Sequence, residues 1–332
     1  MEPSTPISPP SSTASSPHFE KGSAEAEGRE PLAWKLPLGL FVATVGSVFY
    51  TGYETTWILD QDTPSAFVAG VQLTVALLGI LLAHEFGHYA FARWHKVPAS
   101  LPMFIPLPKL SPFGTMGAVI AMKGRIKSRN ALLDIGASGP LAGMVVALGV
   151  LTYGLMTSSV MPIGDSGTQE GQSLLYLLLK RVVLGPIPPG HDVYLNPFAF
   201  AGWTGLFVTM LNLIPFGQLD GGHVAYALLG PKQNRYSRVV RYSVLGLLPI
   251  NVAIFALRGL SEGDWQKGAL TGLQAGMPWA FYFLLLTLMA RIGGADHPPT
   301  NDGHLSPGRK AIAVFTLVLF VLLFMPTPWL VY

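Results

Sequence analysis

Cysteine is absent from all 332 residues of the chain, and charged residues are scarce at 12%. The lack of thiols excludes a disulfide scaffold, an iron–sulfur site, a thiol nucleophile and a zinc site built on thiolates. The lack of charge excludes an ordinary soluble globular protein, since such proteins carry about 25% charged residues. A net charge of +3 is too small to indicate a nucleic-acid partner, so none is expected.

Apolar residues are abundant instead, at 50% of the chain with a mean hydropathy of +0.44. A helix needs about 20 apolar residues to cross the hydrocarbon core of a bilayer. Runs near this length predict an all-α polytopic membrane protein with about seven transmembrane helices, at 36–52, 66–92, 132–157, 198–214, 240–257, 268–290 and 310–330. The lipid bilayer is therefore an expected partner.

Residues 1–33 have a different composition. Six of the first 18 residues are Ser and five are Pro, and such a segment cannot bury enough apolar surface to fold. We therefore expect a disordered tail at 1–33 and a transmembrane domain at 34–332.

The basic residues predict the orientation. All but four of the 21 lysines and arginines fall in the tail and in alternate loops on one side of the predicted helices, the exceptions being Lys180, Arg181, Arg258 and Lys267. The positive-inside rule then places the N-terminus in the cytosol. A bacterial inner (plasma) membrane is the expected location.

Two segments between the apolar runs are not transmembrane helices. Four prolines between residues 101 and 112 exclude a continuous helix there, and the glycine-punctuated residues 114–122 read as extended chain. This segment predicts a membrane-associated β-strand or hairpin. It either pairs with an unwound substrate peptide by strand addition or is an ordinary hairpin at the membrane surface. Within the loop at 158–197, residues 174–184 predict an interfacial helix.

The motif HEFGH at residues 84–88 lies inside the second apolar run. Positions four apart share one helix face, so both imidazoles can reach one metal ion. Glu85 lies beside the first histidine, where a carboxylate can take a proton from water. Such polar groups are rare within a membrane unless they have a function.

A catalytic zinc site of this kind needs a third protein ligand. Asp220 is preferred because it follows an apolar run that ends at Pro215 and a glycine-rich stretch, where the chain can unwind and direct a carboxylate inward. Asp134 is the alternative ligand, although a residue at the start of a helix more often caps it. His223 lies nearby, either as a structural histidine or as a residue that supports the metal or the substrate.

HEFGH together with NLIPFGQLDGGH at residues 212–223 resembles the site-2 protease family of intramembrane zinc metalloproteases. The resemblance covers about residues 66–230, which makes this region the expected catalytic core. The sequence HPP at 297–299 is similar to the branch that contains plant plastid members. The loop at 158–197 is too short for the PDZ domain that many bacterial members insert.

The resemblance implies one Zn²⁺ per chain, with His84, His88 and Asp220 as the metal ligands. It implies Glu85 as the catalytic carboxylate and Asn212 as a residue that contacts the substrate or the oxyanion. The expected function is hydrolysis of a peptide bond within or next to the transmembrane segment of a single-span membrane-protein substrate. The alternative is a non-enzymatic membrane protein that binds or transports metal.

Overall fold

The computed structural model describes residues 34–54, 65–122, 126, 128–294, 296–301 and 303–332. The tail at 1–33 lies outside these residues, so its disorder stays a prediction. The described part of the chain is mostly helical, as expected, with short strands in its loops.

The helices are α1 Lys35–Glu54, α2 Ala66–Trp94, α3 Arg129–Met156, α4 Leu174–Leu184, α5 Pro197–Asn212, α6 Asp220–Leu229, α7 Lys232–Glu262, α8 Trp265–Gly293 and α9 Pro307–Leu323. The strands are β1 Met103–Pro106, β2 Thr115–Val119, β3 Ser159–Pro162, β4 Thr168–Glu170, β5 His191–Tyr194 and β6 Trp329–Val331.

Five of the described helices are long and apolar enough to cross a membrane: α1, α2, α3, α7 and α8. The predicted runs at 198–214 and 310–330 correspond to α5 and α9, which have only 16 and 17 residues. The prediction of seven spans is therefore confirmed for five of them. Helix α5 ends early because the chain turns at Pro215 and Gly217 before α6 begins.

The core of the domain lies where α2, α3 and α5 pack together. Glycines let the backbones approach closely: a side chain at Gly202 on α5 would place its Cβ 2.6 Å from the Cα of Leu151 on α3. Trp203, also on α5, is completely buried, and its indole Nε1 donates a hydrogen bond of 2.8 Å to the carbonyl of Gly171. Such close contact provides the packing energy that holds helices together in lipid.

The predicted extended segment forms a hairpin of the antiparallel strands β1 and β2. Gly114 enters β2 with φ of 74°, in the left-handed region that favours glycine. It also packs against α1, where its carbonyl accepts a hydrogen bond of 2.5 Å from the Ser47 hydroxyl. Strand β2 pairs with β1 and with no other strand among the described residues.

The loop at 158–197 is folded over the end of the core. Strand β3 pairs with β5, while β4 pairs with β6 from the far end of the chain. The predicted helix at 174–184 is present as α4, with the Ser173 side chain capping its first turn. Beside it lies the loop ion cluster, which consists of Glu170, Lys180 and Asp192.

Helices α7 and α8 form a long hairpin that packs mainly along itself. Its close approach depends on glycine, since a Cβ at Gly272 of α8 would lie 2.6 Å from the Cα of Val252 on α7. In the most apolar 18 residues of each helix, only 17% of those in α7 and 28% of those in α8 are buried within the protein. Their remaining apolar surface suits contact with lipid.

Candidate metal centre

The two histidines of HEFGH project from one face of α2. Their ring centroids are 4.8 Å apart, and the two Nε2 atoms are separated by 3.1 Å. His84 is buried, and His88 is half-buried. The structure therefore brings these imidazoles together as the helical spacing predicts.

Asp220 reaches the histidines from the first residue of α6. Its carboxylate oxygens lie 3.2 Å from His84 Nε2 and 3.2 Å from His88 Nε2. The turn that precedes α6 is tight: a Cβ at Gly221 would collide with the Leu213 carbonyl, and one at Gly222 with the Gly217 carbonyl. These glycines allow the start of α6 to fold back beside α2.

The three side chains have the geometry of a zinc site. Their ligand atoms all lie within 4.8 Å of one another, and the described residues contain no other such group of His, Asp and Glu. In a tetrahedral site with bonds of about 2.0–2.1 Å, two ligand atoms are about 3.3 Å apart. The two imidazole Nε2 atoms are 3.1 Å apart, which is close to that value, and a different oxygen of the Asp220 carboxylate lies 3.2 Å from each of them. The donor set of His84, His88 and Asp220 therefore fits Zn²⁺.

His88 has a partner that sets its tautomer. Its Nδ1 lies 2.7 Å from the carbonyl oxygen of Ile135 on α3. A carbonyl can only accept, so Nδ1 carries the proton and donates, which leaves the lone pair on Nε2. Metal-ligating histidines typically have such a partner on the other ring nitrogen.

Three glycines on one face of α3 make room for three histidines. A Cβ at Gly139 would collide with His88 Nε2, and one at Gly143 would lie 3.0 Å from the Cβ of His84. A Cβ at Gly136 would lie 2.7 Å from the Cβ of His223. Their spacing of three and four residues predicts a shared helix face, but no local pattern in the sequence places that face against the metal centre.

Gly87, inside the HEFGH motif, serves the same interface from the side of α2. A Cβ at this position would lie 2.6 Å from the carbonyl oxygen of Ser138 and 3.0 Å from the Cα of Gly139. The two helices can approach this closely only because both carry glycine at the contact.

Glu85 and Asn212 line the same cavity of about 170 Å³ as the three ligands. Glu85 is buried, yet its carboxylate makes no hydrogen bond to another described residue. Asn212, the last residue of α5, has its Nδ2 3.4 Å from His84 Nε2. The cavity also includes residues 118–120, at the end of β2.

Asp134 is not a metal ligand in this structure, and it does not cap α3. Its carboxylate binds Arg309, with Nε and Nη2 at 2.9 and 2.7 Å, and His95 Nε2 at 2.9 Å. The cap of α3 is Ser128, whose side chain accepts from the Ala131 N–H. Both sequence-based interpretations of Asp134 are therefore wrong, because its partner Arg309 is 175 residues away.

His223 lies on α6 and lines the same cavity. Its Nδ1 is 2.8 Å from Nε2 of His297, which belongs to the HPP sequence at 297–299. No local sequence pattern predicts this contact, since 74 residues separate His297 from His223.

A helical membrane chain with two histidines of one helix and a downstream aspartate around one cavity has the ligand set of zinc metallopeptidases. Residues 72–250, more than half of the chain, match peptidase family M50. The chain belongs to this family. The resemblance to the site-2 proteases is thereby confirmed, and at the level of the family so are the metallopeptidase class and zinc as the cofactor.

Several relatives are plant proteins named probable zinc metalloproteases. The chain is 29% identical over 275 residues to EGY1, chloroplastic, of Arabidopsis thaliana, covering 80% of this chain and 45% of the relative. It is 30% identical over 266 residues to EGY1, chloroplastic, of Oryza sativa subsp. japonica, covering 78% and 41%. It is 25% identical over 291 residues to EGY2, chloroplastic, of Arabidopsis thaliana, covering 87% and 46%.

The chain thus spans less than half the length of these relatives. Their names support the predicted similarity to the plastid branch. They do not support the expected bacterial inner membrane, since each is named chloroplastic. The described spans and the family together establish an integral membrane protein.

Proposed function

We propose that this protein is an intramembrane zinc metalloendopeptidase that hydrolyses a peptide bond within or next to a transmembrane segment of a membrane-protein substrate. The observation that carries the proposal is one cavity that joins the ligand set His84, His88 and Asp220 to an unbonded carboxylate, Glu85. A buried carboxylate beside the metal ligands, with no hydrogen bond to a described residue, is the group that a metallopeptidase needs as its general base.

His84, His88 and Asp220 would hold the Zn²⁺, which when bound would supply a Lewis acid for the scissile carbonyl and would lower the pKa of water toward about 7. Glu85 follows His84 in sequence and opens to the same cavity, so its carboxylate accepts a proton from the attacking water. The same carboxyl group then delivers that proton to the leaving amine nitrogen. Asn212 donates from Nδ2 to the oxyanion as its charge develops.

The substrate is held by its backbone. A transmembrane helix must unwind before it can be cleaved, because its carbonyls are otherwise engaged in helical hydrogen bonds. The edge of β2 that faces away from β1 pairs with no other described strand, and residues 118–120 reach the cavity. Strand addition at this edge satisfies the exposed backbone groups of the unwound peptide.

We propose further that α5 and α9 cross the bilayer as the fourth and seventh spans, at about 24–26 Å for 16 and 17 residues. The basic loops then share one side with the N-terminus, on the cytosolic face or its stromal equivalent. His84 lies about 14 Å before Arg93 along α2, so cleavage falls toward that face of a single-span substrate.

The test is cleavage of candidate single-span substrates by purified protein in liposomes, with products identified by mass spectrometry. We expect Glu85→Gln to reduce the rate by a factor of about 10² or more while the zinc content stays the same. Glu170→Gln is the matched control, since it makes the same change at a glutamate outside the cavity whose side chain is only 9% exposed.

An active Glu85→Gln variant with the wild-type rate would contradict the role of Glu85. Zinc uptake into the liposomes without any cleavage would instead favour the metal-transport alternative. A chelator should stop cleavage by the wild type, and added zinc should restore it.

A further inference from the structure

His223, which lines the cavity, forms a hydrogen-bonded pair with His297 behind it. Their rings lie edge to face, with centroids 5.0 Å apart at 88°. His223 is buried on α6, and His297 is buried in the segment between α8 and α9. Neither residue has a role in the mechanism above, yet one of them borders the reacting groups.

The hydrogen bonds of the pair fix both tautomers. His297 Nδ1 lies 2.7 Å from the carbonyl oxygen of Pro298, which can only accept, so Nδ1 carries the proton. His297 Nε2 is therefore an acceptor, and it receives the hydrogen bond of 2.8 Å from His223 Nδ1. His223 is left with its lone pair on Nε2.

His297 is held rigidly in this orientation. Tyr226 stacks on its ring, with centroids 4.2 Å apart and planes at 21°. Its backbone N–H donates to the Asn234 side-chain oxygen at 2.9 Å. Burial lowers the pKa of His297, partly offset by the Pro298 carbonyl, so the ring is neutral at neutral pH and keeps Nε2 as an acceptor.

The lone pair on His223 Nε2 is available to a ligand. This nitrogen has no hydrogen-bond partner in the described part of the chain, and the ring lines the cavity. It is not placed as a metal ligand, since the described group of mutually close ligand atoms contains only His84, His88 and Asp220. A hydrogen-bond donor entering the cavity is the partner that its chemistry suits.

We propose that His223 Nε2 accepts a hydrogen bond from a backbone N–H of the bound peptide, and that His297 is a positioning residue that holds His223 in the required tautomer. This inference rests on the proposed peptidase function. An unwound peptide exposes both N–H and C=O groups; Asn212 serves a carbonyl oxygen, and His223 serves an N–H.

The first experiment reads the tautomer directly. In protein labelled with ¹⁵N-histidine, the His223 ring resonances are assigned by their loss in His223→Phe. We expect a protonated Nδ1 and an unprotonated Nε2 in the wild type. In His297→Phe, which retains an aromatic ring for Tyr226 but no acceptor, this preference should be lost; His297→Gln, whose amide oxygen accepts, should retain it.

The second experiment links the tautomer to the substrate. We expect kcat/KM to fall about tenfold in His223→Phe and in His297→Phe, the value of one hydrogen bond, with unchanged zinc content. His297→Gln should stay near the wild type. Replacing one backbone amide of the substrate near the cleaved bond by an ester removes an N–H. With the ester at one position, His223→Phe should cause no further fall in kcat/KM, because the hydrogen bond is already missing.

The outcomes separate this inference from the proposed function. A wild-type protein without Glu85-dependent cleavage contradicts the peptidase proposal, whatever the ring signals show. If the wild type cleaves normally, three results would contradict the inference alone. These are a fully active His223→Phe variant, a proton on Nε2 of His223, and an effect of His223→Phe that no ester position removes.

Discussion

The metal centre and the loop ion cluster are both buried polar groups, but they are completed in opposite ways. At the metal centre, His84, His88 and Asp220 direct acceptor atoms at one point, and no lysine or arginine is among the described residues that line this cavity. In the loop ion cluster, Lys180 supplies the cation, 2.6 Å from Asp192 and 3.5 Å from Glu170.

The remaining contacts of the loop ion cluster strengthen this contrast. The Tyr176 hydroxyl donates to Glu170 at 2.8 Å, and Gln169 donates to Asp192 at 2.9 Å. Converging acceptors in a buried site repel one another unless a cation joins them, whereas a carboxylate that already has an ammonium partner needs nothing further. The metal centre thus has the character of a binding site, whereas the loop ion cluster, whose carboxylates have their partners within the protein, is structural.

The largest expected effect comes from removing the space around a metal ligand. Gly139→Ala places a methyl group against His88 Nε2, so the ring must leave its position and zinc should be lost together with activity. Zinc per protein, measured by mass spectrometry, should fall at least tenfold. Gly149→Ala is the matched control on the same helix, because a Cβ there meets nothing within 4 Å. Full zinc content in Gly139→Ala would refute the arrangement.

The second largest effect distinguishes Asp220 from Asp134 as the third metal ligand. Asp220→Ala should lose zinc, whereas Asp134→Ala should retain it. Asp134→Ala should lower the melting temperature only slightly, by about 2–4 °C, because the Arg309 side chain is 35% exposed and solvent screens the pair. Zinc loss in Asp134→Ala alone would reverse the assignment of the third ligand.

The smallest effect concerns the loop ion cluster and pH. Burial raises the pKa of Glu170 above its usual 4.5, partly offset by the Lys180 charge. The folded protein then binds this proton more tightly than the unfolded chain, so the free energy of unfolding falls as pH rises from 4.5 through the raised pKa.

Glu170→Gln should remove this fall, so the melting temperature of the variant should change by about 2–4 °C less than that of the wild type across the same pH range. Burial tends to raise the pKa of Asp192, but the hydrogen bond and charge of Lys180 lower it below 3.8. The stability that Asp192 contributes is therefore lost only below pH 3.8, outside the window of Glu170. Thermal unfolding of both proteins across this pH range checks the prediction, and parallel profiles would contradict it.

The sequence predicts the local parts of the site well and the long-range parts poorly. His84 and His88 follow from helical spacing within α2, and Asp220 follows from the break at Pro215. The contact between Gly139 and the His88 ring cannot be predicted from the sequence, because it depends on how α3 docks against α2. Asp134 was misread for the same reason, since Arg309 reaches it from α9.

The lengths and pairings of the helices and strands show the same contrast between local and long-range features. The segment at 114–122 is read correctly as extended because its glycines act locally. The pairing of β4 with β6 joins Thr168 to Val331, and no local pattern encodes it. Helices α5 and α9 end at Asn212 and Leu323, before the apolar runs 198–214 and 310–330 end, because the chain leaves regular helix ahead of Pro215 and Pro326.

The glycine between the two α2 ligands has a consequence for how such motifs are recognised. Since the Ser138 carbonyl leaves no space for even a methyl group at position 87, the fourth letter of HEFGH reports helix docking rather than chemistry. A sequence pattern that requires glycine at this position selects chains in which the helix that carries the histidines can pack closely against an adjacent helix. The shorter pattern, with any residue at that place, selects only chains able to hold an ion.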